Sequence, residues 1–214
     1  MVSSVELADV VADAVGIRRE SARLHLKIIR AAGAISFKGY GRSAAAMVPL
    51  DASRLLLAVT GSQFAKDSLE VLRKFADLKP IGDPRDKTLE EFLAYRIELL
   101  TTETGYVIAQ DVPDKLRRLP HIALELIWPN DIDDKAIKPC AILRWISFGE
   151  IRTLTFASQA HRKTLRKQSG SIVEDRYLAL AMYPSAKMFH SRIVTREALI
   201  DIAYALTREQ KSLR

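Results

Sequence analysis

A single cysteine in 214 residues excludes an intrachain disulfide and gives no sign of an oxidising compartment. That residue, Cys140, sits in an apolar run and reads as a small buried hydrophobe. Nine glycines and eight prolines are too few for a low-complexity or collagen-like chain. No apolar run approaches the roughly 18 residues that a membrane helix needs. The opening MVSSVELAD lacks the basic and apolar stretches of a secretory signal. The expectation is a soluble, cytoplasmic, nucleoid-associated protein without a membrane partner.

Recognised catalytic signatures are also missing. The sequence holds no G-x-S-x-G elbow, no Walker A loop, no G-x-G-x-x-G, no H-E-x-x-H and no C-x-x-C. The nearest approach to a metal site is Asp131, Asp133 and Glu150, carboxylates in polar turns that ordinarily just face water. The expectation is therefore a non-enzyme with no catalytic residues, no metal and no cofactor.

What is present is charge, unevenly placed. Residues 1–61 hold 8 Lys/Arg against 5 Asp/Glu, residues 62–135 hold 11 against 15, and residues 136–214 hold 14 against 6. Basic ends around an acidic middle suit a polyanionic partner, because phosphate neutralisation supplies most non-specific affinity for DNA.

Within the N-terminal basic region, Val11, Val15 and Ile17 share one side of a short helix that Gly16 ends. Glycine enters the left-handed conformation of a tight turn without steric cost. A second helix follows from Arg18, with Ala22, Leu26 and Ile29 inward at i, i+4 and i+7, and Gly33 closes it. The outward positions are Arg18, Arg19, Glu20, Arg23 and Lys27. Arginine can pair with guanine O6 and N7, glutamate can accept from cytosine N4, and a lysine suits phosphate. Arg19 and Arg23 are the expected base readers. His25 lies between the two faces and reads as a packed or phosphate-bonding residue, not a metal ligand.

Residues 34–38 and 44–48 read as two short strands joined through Gly39 and Gly41, a hairpin that displays Lys38, Tyr40 and Arg42 at its tip. Such a tip can lie along phosphates or in a minor groove.

The stretch from Val11 to Ile35, VADAVGIRRESARLHLKIIRAAGAI, resembles the helix-turn-helix core of bacterial winged-helix regulators of the ArsR, MarR and GntR kind. The resemblance runs without a gap through Ala12, Gly16, His25, Leu26, Lys27, Ala32, Gly33 and Ile35. It departs from the pattern at Arg18, where a Ser or Thr cap is usual, and at Ile28, usually polar. With its hairpin it covers about a quarter of the chain and implies a DNA-binding module over residues 1–61. The next run, Asp51 to Val59, faintly resembles segments of prophage-encoded DNA-binding proteins.

A helix over residues 63–78, with Phe64, Leu69, Leu72 and Phe75 as its apolar stripe, reads as a connector spanning 62–80. The Pro80 to Pro84 stretch reads as a linker. Thr88 opens a capped helix, residues 121–128, 139–148 and 151–156 read as strands, and residues 195–206 as a final capped helix. The expected fold is α+β: an N-terminal winged helix-turn-helix, then a second α+β domain over 81–214 with a small antiparallel sheet. Arg162, Lys163, Arg166 and Lys167 form the densest basic cluster, either a secondary phosphate-binding surface or a solvated face.

The function these features imply is a sequence-specific, double-stranded-DNA-binding transcriptional regulator, acting as a homodimer. Its C-terminal domain would dimerise or take a protein partner or small-molecule effector. A ring-forming DNA-packaging protein like a phage small terminase subunit is the alternative, and a metal-dependent DNA-processing enzyme a third.

Overall fold

The structure is a computed structural model that describes residues 2–37, 45–83, 87–102, 122–129, 139–147, 150–159, 162 and 189–211. These residues form six α-helices and a five-stranded antiparallel sheet, an α+β arrangement.

Helix α1 (Ser4–Val15) begins seven residues before the Val11 that apolar spacing marks. A reciprocal cap sets that start: the Ser3 hydroxyl accepts from the Glu6 N–H, and the Glu6 carboxylate accepts from the Ser3 N–H at 2.7 Å. Gly16 ends the helix at φ 73°, where a side chain would be strained although nothing crowds it. Helix α2 (Arg19–Ala31) then starts without a side-chain cap at Arg18. It ends at Gly33, φ 74°, with the Ala34 N–H bonded back to the Ile29 carbonyl. Ala22, Leu26 and Ile29 are buried, as their spacing predicts.

The hairpin expected over 34–48 is not formed at its described ends: residues 34–37 and 45–48 are not strands. Their backbone donors go elsewhere. The Met47 N–H donates to the Val2 carbonyl at 3.0 Å, and the Ser36 and Val48 N–H groups donate to the two oxygens of Asp51 at 2.9 and 3.1 Å. One buried carboxylate thus ties Ser36 to Val48.

Helix α3 (Pro49–Gly61) contributes Asp51 from its first turn and, apart from Arg54, is buried from there to its end. Leu55, Leu56 and Leu57, three consecutive residues, have no exposure. Since successive residues turn by about 100°, α3 is covered on every side. Around it stand α1, α2, α4 (Ser68–Ala76) and α5 (Leu89–Thr101). The helix expected over 63–78 is therefore shorter, preceded by a single 3-10 turn at Ala65–Asp67. Phe64 lies outside its stripe and is 60% exposed, whereas Leu72 and Phe75 are buried. Gly61 lets α4 approach: a methyl there would stand 2.6 Å from Val71 Cγ1.

The segment from Pro80, expected to be a linker, instead begins on the sheet. Strand β1 (Lys79–Pro80) pairs with β4 (Glu150–Ala157), and the Ile81 N–H donates to the Thr155 carbonyl at 2.8 Å. Proline is tolerated here because β1 is an edge strand. Strands β2 (Ile122–Pro129), β3 (Cys140–Ser147) and β4 lie within one or two residues of their expected positions, and β5 (Phe189–Thr195) adds beyond β2. The order is β1-β4-β3-β2-β5, and every pairing is antiparallel. Buried Glu125 on β2 accepts from the Ser191 hydroxyl of β5 and from Arg144 of β3, a polar stitch across three strands. Cys140 is buried as expected.

Helix α6 (Arg196–Lys211), opened by the Thr195 hydroxyl accepting from the Ala198 N–H, packs against both α1 and α5. Phe92 of α5 meets Phe156 of β4 edge to face at 5.4 Å. One cluster of buried apolar side chains runs from Val2 through Leu7, Leu56, Leu93 and Leu124 to Leu206.

That continuity makes a stability prediction. Leu56→Ala should lower stability by about 2–5 kcal/mol. Amide exchange in α1 and in β2 should then accelerate together, because both close on the same core. Separate unfolding transitions for the two regions would instead establish independent domains divided near residues 61–81.

Candidate nucleic-acid interface

The two helices flanking Gly16 carry a paired set of charges. Asp13 and Arg19 stand three residues either side of the glycine, and Asp9 and Arg23 seven either side. The turn brings each pair together. Arg19 Nε and Nη2 donate to Asp13 at 2.9 and 2.6 Å, and Arg23 Nε and Nη2 donate to Asp9 at 2.7 and 2.6 Å. Both contacts are two-pronged, the geometry in which the planar guanidinium matches a carboxylate. The hydrogen bonds from Arg23 hold the Asp9 carboxyl below its ordinary range, and those from Arg19 do the same to Asp13. The two expected base readers are thus exposed but already engaged by α1.

The other expected residues of α2 are solvent-facing: Arg18 at its entrance, then Glu20 and Lys27. Two residues of this helix went unread in the sequence. Leu24 is 54% exposed between Glu20 and Lys27, an apolar group on a charged face. Arg30 Nη1 reaches the Ser4 hydroxyl at 3.4 Å and its guanidinium lies 5.1 Å from the Phe37 ring centroid, so it joins α2 to the start of α1 and to Phe37. The signal for the ion pairs was available in the matching i, i+4 spacing of Asp9 with Asp13 and of Arg19 with Arg23. Lys38, Tyr40 and Arg42 lie outside the described residues, as do Lys163, Arg166 and Lys167. Arg162 is described: it is half-buried and its backbone N–H donates to the Ser158 carbonyl at 3.0 Å.

His25 is 2% exposed and faces away from this surface. Its Nδ1 stands 2.8 Å from the Ser68 hydroxyl, which also bonds the Ala65 carbonyl, and the ring has a backbone hydrogen bond to Ala58. It is a packed residue joining α2 to α3 and α4. Burial pushes its pKa below the ordinary value of 6.5, outweighing the bond to Ala58. Farther along, Arg54 donates to both oxygens of Glu90 at 2.8 and 3.1 Å and to the Ala34 carbonyl at 3.2 Å, fixing the exit of α2 to α5.

Among the described residues no group of acids, histidines and cysteine is placed to hold a metal ion, and no helix is long and apolar enough to cross a membrane. Asp131 and Asp133 lie outside the described residues. No family model, curated protein or solved structure matches the chain.

Two outcomes follow from the buried groups behind α2. The neutral His25 ring is favoured in the folded state, so its stabilising effect is complete above pH 6.5 and is lost as pH falls toward the depressed value. In denaturant titrations, His25→Gln should weaken the loss of stability between about pH 7 and pH 5; an unchanged slope would assign that loss to other groups. Asp51→Ala leaves two backbone donors without their carboxylate and should cost about 1.5–3 kcal/mol. It should also speed exchange of the Ser36 and Val48 amides, measurable by NMR.

Proposed function

We propose that the chain is a double-stranded-DNA-binding transcriptional regulator in which α1, the Gly16 turn and α2 act as a helix-turn-helix, α2 entering the major groove of an operator. The observation that carries this reading is the geometry at Gly16. A three-residue turn, with the glycine in the left-handed conformation, joins two helices whose inner faces close a core and whose outer face presents Arg18, Arg19, Glu20, Arg23 and Lys27. An exposed helix with this content offers donors for guanine, an acceptor for cytosine and a cation for phosphate.

Asp51 ties Ser36 to Val48 on either side of the segment read as a wing, and in this reading Lys38, Tyr40 and Arg42 would meet the backbone or minor groove. Binding as a homodimer would place two copies of α2 in half-sites one helical turn apart. The sheet and α6 would then supply the dimer contact or the site of an effector.

Selection of bound sequences from a random duplex pool, with the protein's mass in solution measured alongside, tests this reading directly. A palindromic consensus from a dimer is the expected result. Failure to enrich any sequence, or a ring of eight or more subunits, would move the function to DNA packaging or architectural binding.

The ion pairs predict the behaviour of variants. Arg23→Ala should weaken binding to the selected site by about 10- to 100-fold and relax preference at one base pair, with little effect on random duplex. An equal loss on both would reassign Arg23 to phosphate. Asp9→Asn combined with Asp13→Asn removes two negative charges beside the arginines. It should tighten binding to random duplex and steepen its salt dependence while reducing discrimination, measured as the ratio of the two affinities across a salt series. Unchanged non-specific binding would place DNA away from α1.

A further inference from the structure

An exposed leucine is ordinary by itself, but Leu24 stands where the DNA-binding reading puts the bases. On a helix that turns about 100° per residue, the buried residues of α2, Ala22, His25, Leu26 and Ile29, centre on one side. Glu20, Leu24 and Lys27, all exposed, fall within about 30° of the opposite side and follow one another by a turn of helix. Arg23 falls about 70° and Arg19 about 110° from that line, on the flank where Asp9 and Asp13 of α1 hold them. The line of α2 farthest from the core therefore runs glutamate, leucine, lysine, with Ala31 at its end. Its middle side chain is the apolar one, and it is more central on this face than either arginine.

A side chain so placed has a narrow choice of partners in a major groove. The base edges there carry donors, acceptors and one apolar group, the methyl on C5 of a pyrimidine. A leucine pressed against guanine N7 and O6, adenine N6 or cytosine N4 would strip water from polar atoms and give no hydrogen bond in return. Against a methyl it removes apolar surface from water on both sides. Leucine thus rewards the methyl and penalises each polar edge. The charges about it, Arg18, Arg19, Glu20, Arg23 and Lys27, are four cations to one anion, a setting that suits a polyanion more than an apolar protein surface.

We propose that Leu24 is a specificity-determining residue that reads the C5-methyl group of a pyrimidine at the centre of each half-site, an inference that rests on the helix-turn-helix reading of α2. The methyl belongs to thymine or to 5-methylcytosine, which present the same group at the same place in the groove, and these sources are separable by experiment. Glu20 and Lys27, a turn to either side of Leu24, then meet what flanks that base, and the arginines reach in from the α1 flank.

The test uses the full chain and the duplex it selects from a random pool. Each thymine of one half-site is replaced in turn by deoxyuridine, which lacks only the methyl group, and the dissociation constant is measured at fixed salt. The expected result is a loss of about three- to tenfold at one position and little change at the others. Leu24→Ala should bind the thymine site more weakly by a similar factor and should no longer distinguish thymine from uracil at that position. Leu24→Met, which keeps an apolar side chain, should retain the distinction. The DNA replacements are read on the unaltered protein, so the central result does not depend on how any variant folds. If every uracil replacement is silent but methylating one cytosine at C5 tightens binding by about three- to tenfold, and Leu24→Ala abolishes that gain, the methyl is that of 5-methylcytosine. Sequence-selective binding that neither change alters, or that both change equally in the unaltered protein and in Leu24→Ala, overturns the proposal and leaves the DNA-binding reading standing. A chain that selects no sequence overturns both. A dimer that Leu24→Ala converts to a monomer makes Leu24 a contact between copies and also overturns the proposal.

Discussion

A helix that is apolar on every side has to be enclosed on every side, and α3 imposes that demand on the whole chain. Leu55, Leu56 and Leu57 point in three directions and none reaches solvent. Their enclosure draws on elements from both halves of the sequence, with α1 and α2 before α3 and α4, α5, β5 and α6 after it. The polar atoms that α3 carries into this interior are each answered: Ser53 donates to the Glu90 carbonyl, Thr60 to the Leu56 carbonyl, and Asp51 accepts from Ser36 and Val48. Burial without these partners would forfeit much of what the leucines contribute. The helix pair around Gly16 is consequently no appendage. Its inner face closes the same core that α6 closes from the other side.

The parts of this fold that were legible in the sequence are those fixed by near neighbours. Gly16 and Gly33 end their helices because their own backbone conformations demand it, and Thr88 with Glu91 forms a cap from residues three apart. Strands β2 and β3 stood out as apolar runs that the core consumes, and β4 by its alternation of apolar with polar residues. The missed features depend on distant partners. Lys79–Pro80 becomes a strand through the edge of β4, and β5 mixes Ser191, Arg192 and the half-exposed Ile193 with the buried Val194, so its pairing with β2 leaves little local trace. The hairpin after α2 was expected from glycine and alternation. Val2 and Asp51 take the donors that such a ladder would have used, and Val2 is far in sequence from Met47, as Asp51 is from Ser36. For the candidate interface, periodicity correctly separated the inward Ala22, Leu26 and Ile29 from the outward charges. That two of those charges are already held is hinted at by the matching spacing of Asp9 with Asp13 and of Arg19 with Arg23, but it also depends on the angle at which the two helices leave the turn.

The ion pairs at that turn alter what the arginines of α2 can do. Arg19 and Arg23 are exposed, so their bonds to Asp13 and Asp9 are screened by water and salt and exchange readily for other partners. Exchange is favourable only where the incoming acceptor matches the guanidinium fork as well as the carboxylate does. The paired edge of a guanine meets that condition, and a phosphate passing at an arbitrary angle meets it less well. Beside α1, then, a guanidinium is nearly neutral to a generic polyanion and selective toward a planar two-point acceptor. Lys27 and Arg18 have no such restraint described and are the groups suited to generic attraction. In the proposed function the same helix thereby divides its labour: unrestrained cations bring the duplex in, and restrained ones respond to its sequence. That division requires Asp9 and Asp13 to stay in place, which the reciprocal cap at Ser3 and the packing of α1 on α6 provide. Under the proposed function, the distant C-terminal helix would in this way be a condition for selectivity at α2.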